Sequence, residues 1–346
     1  MTLLQRAKKS KGKFLNPVPT QVAGLATVFK ILPRYVLNRK QRFPIKALGP
    51  FSTNPNIFAQ PPSSGLRVTW FGHSSMLLEI DGARVLIDPI WEERASPIRW
   101  SGPKRFFSPT IPLHDLPDLD VVLISHDHYD HLGETTVRSL VAQRNASAVL
   151  WLTSRGVGSI LTRWGVARSR IVELDWTETH VNTSRGANVK FTSWPARHFS
   201  GRSLLNRFQT LWASFVIESD RHSVYYGADS GPWPGFTEIG EKRRSFDLTM
   251  LEIGASDPLW ADIHLGAEGA ASAFKALDAG GLLMPIHWGL FDLALHGWTE
   301  PIEHLRRLGR EQGIALWSPE PGWPTEVLSG KEVFSEWWMD STSQSV

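Results

Sequence analysis

The sequence contains no cysteine among its 346 residues. Disulfide bonds and thiolate zinc sites are therefore excluded, and any bound metal ion must be held by nitrogen and oxygen atoms. No window approaches the roughly 20 apolar residues of a membrane-spanning helix. The basic start, MTLLQRAKKSKGK, is not followed by the apolar core and small-residue cleavage site of a secretory signal. We expect a cytoplasmic protein that is either free in solution or peripheral at a membrane surface.

A strong excess of one charge is also lacking. Lysine and arginine number 37, aspartate and glutamate 34, and the net charge is +3. Because no long basic stripe is evident, nucleic acid is not an expected partner. Aromatic residues, in contrast, are abundant, with 16 Trp and 17 Phe. They are compatible with a core, an apolar substrate pocket or an interface. Composition does not distinguish among these roles, and it does not indicate the oligomeric state.

The chain divides into an arm, a domain and a tail. Residues 1–65 form the arm, in which apolar side chains repeat at helical spacing: Val22, Leu25, Val28, Phe29 and Leu32. We predict that this arm packs on its own domain or touches anionic lipid. Residues 66–325 alternate between strand-like and helical segments and predict a mixed α/β domain, with a hairpin turn at Asp81-Gly82. Residues 326–346 are the predicted tail.

The stretch VVLISHDHYDHLG, residues 121–133, concentrates potential metal ligands directly after a strand-like run. His126 and His128 are two residues apart in an extended segment, so they share a face and can bind one ion. The chain then turns into a predicted helix near Gly133, which redirects Asp130 and His131 toward a second ion. Buried imidazoles and carboxylates are costly without partners, and the cluster therefore predicts a metal centre.

Further candidate ligands stand at the ends of later strand-like runs, where side chains converge on one edge of a sheet: His198, Asp229 and His287. Imidazole and carboxylate ligands suit zinc best, and iron and manganese also accept them. A single histidine at a strand end is more often an ordinary residue, and it is the cluster at 126–131 that favours metal binding. His73, His264 and His296 remain open between ordinary positions and groups that orient or protonate substrate.

Asp88, in the segment LIDP, has two interpretations. Its carboxylate can hold a ligand imidazole in the correct tautomer. Alternatively, it belongs to a structural Asp-Pro turn. The sequence favours neither.

The pattern H-x-H-x-D-H, followed by isolated His, Asp and His, resembles the metallo-β-lactamase superfamily. The segments RVTWFGHSSMLLEIDG, LIDPIWEERASP, GADSG and HWGLFDLA are similar to the branch that contains N-acyl-phosphatidylethanolamine-hydrolysing phospholipase D. Bacterial ascorbate-phosphate lactonases are similar as well. The resemblance runs from about residue 14 to about residue 325. One departure is Glu252, which stands where the family has a proline or a small residue.

The resemblance implies a four-layer αββα sandwich of two mixed β-sheets flanked by helices, with a dinuclear zinc site at one edge. The first ion would be bound by His126, His128 and His198, the second by Asp130, His131 and His287, and Asp229 would bridge both. Asp130 and Asp229 would thereby serve catalysis as well as metal binding. The leaving group would be protonated by solvent or by a nearby residue such as His264.

The implied activity is that of a zinc-dependent phosphodiesterase of phospholipase D type, in which a hydroxide held between the ions attacks an N-acyl-phosphatidylethanolamine-like amphiphile. The segment EERASPIRWSGPKRFF, here called the basic-aromatic loop (residues 92–107), suits a lipid headgroup or is a solvated loop with anchoring aromatic residues. The alternative activity is hydrolysis of a lactone or another small carbonyl ester at the same site. A non-catalytic metal-binding module would be expected to lack a ligand, and every ligand position is filled.

Overall fold

The computed structural model describes residues 2–22, 34, 41–143, 145–203, 205–242 and 245–339. The amphipathic run predicted in the arm, from Leu25 to Leu32, lies outside the described residues. Within the described part of the chain, no helix combines the length and apolar character needed to cross a membrane.

The strands are β1 Lys9–Ser10, β2 Lys13–Phe14, β3 Leu66–Trp70, β4 Met76–Ile80, β5 Ala83–Ile87, β6 Val121–Ile124, β7 Leu150–Ser154, β8 Ile171–Leu174, β9 Thr179–Ser184, β10 Ala187–Trp194, β11 Ser214–Glu218, β12 Ser223–Tyr226, β13 Leu248–Glu252, β14 Leu282–Ile286, β15 Trp317–Ser318, β16 Thr325–Glu326 and β17 Val333–Phe334. The α-helices of the described residues are α1 Glu134–Val141, α2 Gly158–Arg163, α3 Gly235–Glu241, α4 Gly266–Ala276 and α5 Glu300–Gln312. Short 3-10 helices lie at Pro55–Ala59, Leu113–Asp115, Ala146–Ala148, Arg168–Arg170 and Pro258–Trp260.

Two large mixed sheets form the centre of the protein. The first has seven strands in the order β16-β3-β4-β5-β6-β7-β8, antiparallel from β16 to β5 and parallel from β5 to β8. The second has six strands in the order β14-β13-β12-β11-β10-β9, parallel from β14 to β12 and antiparallel from there to β9. In both sheets, the parallel strands bring their carboxyl ends to one edge.

The side-chain alternation of β6 shows how the layers pack. Val121 and Leu123 face the second sheet and join a core shared with Phe191 and Met250. Val122 and Ile124 point to the opposite face, where they pack with helix residues: Val137 and Leu140 of α1 and Leu161 of α2. On the other side of the molecule, α4 packs on β13, with α3 and α5 beside it. The expected αββα sandwich is confirmed.

Most of the abundant tryptophan is core. Trp70, Trp212, Trp317 and Trp338 are almost completely buried. Trp100 is the main departure, since 82% of its surface is exposed. The aromatic load therefore contributes chiefly to packing, and Trp100 is left as an exposed side chain on the basic-aromatic loop.

Both ends of the described chain contact the sandwich. In the arm, Leu4 and Phe14 are buried in the shared core, and the Phe14 amide donates to the carbonyl of Phe208 at 2.8 Å. At the other end, β16 pairs with β3, and β17 pairs with β15. The segment that follows β17 carries the buried Trp338.

Candidate metal centre

The candidate ligands follow strands that end at the same edge of the sandwich. His126 comes two residues after β6, Asp229 three residues after β12, and His287 directly after β14. His198 lies four residues after β10, whose direction matches that of β12 because β11 is antiparallel to both. The structure thus brings all seven predicted ligands together, in groups within which the potential ligand atoms lie no more than 4.8 Å apart.

The first group consists of His126, His128, His198 and Asp229. Nδ1 of His128 lies 2.9 Å from Nε2 of His126 and 3.2 Å from Nε2 of His198. Oδ2 of Asp229 lies 3.8 Å from Nε2 of His126 and 3.5 Å from Nε2 of His198. His128 therefore presents Nδ1, whereas the other two imidazoles present Nε2.

The second group contains Asp130, His131 and His287, together with His73. Oδ2 of Asp130 is 3.2 Å from Nε2 of His287 and 3.6 Å from Nε2 of His131. Asp229 reaches this group as well, with Oδ1 at 3.2 Å from Nε2 of His131 and Oδ2 at 3.1 Å from Nε2 of His287. Asp229 thus contacts both groups.

These distances fit a metal centre. Bonds of about 2.0–2.2 Å to nitrogen and oxygen place neighbouring ligand atoms about 2.8–3.6 Å apart in tetrahedral or octahedral geometry, and all of these distances except the 3.8 Å between Asp229 and His126 lie in that range. Two of the atoms, Nε2 of His131 and Oδ1 of Asp229, are also buried and make no well-oriented hydrogen bond among the described residues, although they lie 3.2 Å from each other. Such atoms are costly unless a cation satisfies them.

The charges of the first group favour a cation. Burial holds the pKa of His126 and that of His198 well below the usual value, so both imidazoles are neutral and have a free lone pair. Burial opposes the ionisation of Asp229, but His131 and His287 keep its pKa well below the usual range. Asp229, which contacts both groups, is therefore an anionic carboxylate.

Asp88 is the outer partner of His131. Its Oδ2 lies 2.7 Å from Nδ1 of His131 and also accepts hydrogen bonds from the hydroxyls of Ser125 and Tyr226, both at 2.5 Å. Oδ1 accepts from the Ser125 amide at 2.7 Å. This arrangement orients His131 and fixes its tautomer, which is the first of the two roles considered for Asp88.

His73, whose position the sequence left open, is part of this centre. Its Nε2 is 3.0 Å from Oδ2 of Asp130, and its ring centroid is 4.0 Å from that of His287. The backbones of His73 and His287 have φ values of 56° and 63°, and the His287 amide donates to the His73 carbonyl at 3.0 Å. Left-handed backbone at such residues costs about 1–3 kcal/mol each, and it commonly marks functional sites.

His264 and His296 differ in their surroundings. Nδ1 of His264 contacts Oε2 of Glu252 at 2.5 Å, and its ring lies between one member of each group, 5.1 Å from the ring of His198 and 5.3 Å from that of His287. Nδ1 of His296, in contrast, lies 2.8 Å from the carbonyl oxygen of Gly297. His264 is thus held against rings of the candidate ligands.

The arm also reaches the centre, through Asn16 of FLNPVPT. The Asn16 amide donates to the carbonyl of His198 at 2.7 Å, and its Oδ1 accepts from the His198 amide at 3.0 Å. Nδ1 of His198 lies 2.9 Å from the carbonyl oxygen of Ile263. Backbone and ring of His198 are therefore each held by a separate segment.

We expect Asn16→Ala to weaken metal binding at the first group by about tenfold, because loss of an outer partner typically costs 10–100-fold in metal affinity. Equilibrium dialysis against graded free zinc measures the change. Asn188→Ala, at an exposed position of β10, is the matched control. Unchanged affinity in Asn16→Ala would show that His198 is held adequately without the arm.

Comparison with known proteins agrees with this geometry. Residues 83–288 match the family model described as the β-lactamase superfamily domain. The chain belongs to the metallo-β-lactamase superfamily. N-acyl-phosphatidylethanolamine-hydrolyzing phospholipase D 1 of Caenorhabditis elegans is 30% identical over 294 residues, covering 82% of this chain and 82% of that protein. The resemblance to this branch of the metallo-β-lactamase superfamily is confirmed.

Two further proteins are similar to this chain, one in sequence and one in fold. An uncharacterized protein of Mycobacterium tuberculosis is 44% identical over 287 residues, covering 82% of this chain and 74% of that protein. The isothiocyanate hydrolase from Delia radicum gut bacteria has the same fold, with a TM-score of 0.59 at 19% identity over 75% of this chain and 99% of that chain. The protein is a metal-dependent hydrolase of the metallo-β-lactamase superfamily.

Proposed function

We propose that the protein is a zinc-dependent phosphodiesterase of phospholipase D type that acts on N-acyl-phosphatidylethanolamine-like amphiphiles with two zinc ions. The observation that carries this proposal is the position of Asp229, whose two oxygens reach ligand nitrogens of both groups. One ion would be bound by His126, His128 and His198, the other by Asp130, His131 and His287, with Asp229 shared. The relative from Caenorhabditis elegans supports the substrate class.

The side chains supply binding, orientation and proton transfer. Bound zinc lowers the pKa of water to about 7 and neutralises charge on phosphoryl oxygens. Asp88 and Asn16 hold His131 and His198 in the orientation that binding requires. Because Nδ1 of His264 is taken by Glu252, Nε2 is the nitrogen left to give a proton to the leaving oxygen.

The basic-aromatic loop supports an amphiphilic substrate. Phe107 is buried and anchors the loop, with its carbonyl accepting from Nε of Arg105 at 2.7 Å, whereas Trp100 is exposed. Tyr129, between two candidate ligands in the chain, lines a cleft of about 610 Å³ whose wall also includes Arg94 and Arg99 of the loop, beside Glu92 and Glu93. Cationic and aromatic side chains at one surface suit a phosphate headgroup with an attached acyl chain, presented at a membrane surface that the protein contacts peripherally from the cytoplasm.

The test is hydrolysis of N-acyl-phosphatidylethanolamine and bis(p-nitrophenyl) phosphate, with a lactone panel alongside, on protein of measured metal content. We expect turnover of both phosphodiesters, loss of turnover on chelation, and recovery on addition of zinc but not of calcium, which prefers oxygen ligands. Recovery with iron or manganese in place of zinc would correct the metal. Turnover of lactones alone would overturn the phosphodiesterase proposal in favour of a carbonyl ester hydrolase.

A further inference from the structure

Glu252 is a buried carboxylate at the carboxyl end of β13, beside the candidate metal centre. Its surface is fully buried. Oε1 accepts from the amide of Ser230 at 2.8 Å and from that of Leu265 at 3.2 Å, while Oε2 contacts Nδ1 of His264 at 2.5 Å. Glu252 therefore joins the segment that follows Asp229 to the segment that carries His264.

The contacts of Glu252 argue against a role as a metal ligand. Asp229, Glu252, His264 and His287 lie close enough to form a group of potential ligands. Oε1 of Glu252, however, is held by two main-chain amides, which cannot turn away to make room for an ion as a side chain can. Nδ1 of His287 is 3.9 Å from Oε2, beyond hydrogen-bond distance. A buried carboxylate at the site whose donors include a histidine ring instead resembles the outer partner of a functional imidazole.

We propose that Glu252 is a positioning residue that keeps a proton on Nδ1 of His264, so that Nε2 of this ring is the nitrogen presented to the leaving group. The inference rests on the proposed function of His264 and adds what controls it. Glu252 would act through its direct contact with His264, because that contact fixes both the tautomer and the orientation of the ring.

His264 would give its Nε2 proton to the leaving oxygen. As hydroxide bonds to phosphorus, the bond from phosphorus to the leaving oxygen breaks and its electron pair stays on that oxygen, which takes the proton that Nε2 carries when both ring nitrogens of His264 are protonated. The ring becomes neutral and keeps its Nδ1 proton in the hydrogen bond to Glu252. Solvent then returns a proton to Nε2.

Glu252→Gln separates this role from the structural contacts. The glutamine carbonyl oxygen can still accept from the amides of Ser230 and Leu265. Its amide group would instead donate to Nδ1 of His264, which moves the single proton of the neutral ring to Nε2. Glu173→Gln is the matched control, because Glu173 accepts from the amides of Gly156 and Gly158 at 2.7 and 3.0 Å without contacting a histidine.

The kinetic test compares two substrates that share a phosphatidyl group and differ in the leaving group. The alkoxide of N-acylethanolamine needs a proton to depart, whereas p-nitrophenolate does not. We expect Glu252→Gln to reduce kcat by about 100-fold on N-acyl-phosphatidylethanolamine and by less than about threefold on phosphatidyl-p-nitrophenol. The double variant with His264→Gln should be no slower than His264→Gln alone.

A second readout does not depend on activity. Long-range ¹H–¹⁵N NMR correlations of the zinc-loaded, full-length protein report which nitrogen of each neutral imidazole carries the proton, and His264→Gln assigns the signal. We expect protonated Nδ1 in the unchanged protein and protonated Nε2 in Glu252→Gln.

The outcomes separate this inference from the proposed function. If the unchanged protein hydrolyses only carbonyl esters, the phosphodiesterase proposal fails, and the same comparison is made with an aryl and an alkyl ester. Equal losses on both leaving groups, or an Nδ1 proton retained in Glu252→Gln, would overturn the role of Glu252. Loss of zinc or of folding in Glu252→Gln but not in Glu173→Gln would show instead that Glu252 is purely structural.

Discussion

The Asp130→Asn variant is expected to lose at least 99% of hydrolysis, a fall of about 100-fold or more, while its fold is retained. Oδ2 of Asp130 lies 3.0 Å from Nε2 of His73 and 3.2 Å from Nε2 of His287. Asparagine has the same shape but no negative charge, so it neither compensates a divalent cation nor attracts the imidazoles around it. The second ion and its share of the chemistry should be lost together.

Metal analysis after dialysis at low free zinc should show close to one ion per chain in Asp130→Asn and two in the unchanged protein. Asp127→Asn is a stringent control from the same loop. Its buried carboxylate accepts from the amide of Gly201 at 2.7 Å and from the hydroxyl of Thr210 at 2.9 Å, bonds that asparagine can partly keep. Near-normal turnover in Asp130→Asn would exclude the dinuclear mechanism.

The candidate ligands could be predicted from sequence because each depends on local pattern. The run from His126 to His131 follows a fully buried strand, and the later candidates follow strands that alternate or run apolar in the same way. Parallel strands necessarily end at a common edge, so recognising the strands was nearly sufficient to bring the ligands together. The proposed division of these residues between two ions came from the family resemblance.

Elements without such a pattern were not predicted. β9, with the sequence THVNTS, has one side half-buried and the other exposed, and its polar residues give no apolar alternation. In α3, two of the buried positions are occupied by Gly235 and Gly240, and glycine is a poor helix former. Both elements are stabilised by neighbours in the fold, so tertiary contact outweighs local preference there.

The residues that hold the ligands were harder still to predict. Asn16 and His198 are separated by 182 residues, and Asp88 and Tyr226 by 138. No spacing rule connects positions so far apart. In the sequence, Glu252 was notable only as a departure from the family pattern. Its proposed role depends on contacts that form when β13 and the segment before α4 come together.

Asp88→Ala is expected to lower the free energy of unfolding by about 4 kcal/mol or more, measured by denaturant unfolding in the presence of a chelator. Four donors from Ser125, His131 and Tyr226 would lose their acceptor, and a buried unsatisfied donor costs about 1–3 kcal/mol. Asp88 also has a φ of 37°, where alanine costs about 1–2 kcal/mol more than a residue that tolerates left-handed backbone. Chelation removes the contribution that bound zinc would make to stability.

Asp88→Asn should separate stability from metal binding. Asparagine tolerates the backbone and can still accept from the Ser125 amide, so the stability loss should be well below that of alanine. Its amide group would donate to Nδ1 of His131 and move the ring proton to Nε2, the atom proposed to bind zinc. We therefore expect zinc affinity at the second group to fall by about 10–100-fold.

Tyr226→Phe is the control variant. It removes one donor and leaves the His131 contact intact, so it should lower the free energy of unfolding by about 1 kcal/mol without changing zinc affinity. Equal zinc affinity in Asp88→Asn and Tyr226→Phe would mean that Asp88 stabilises the fold without setting the tautomer of His131.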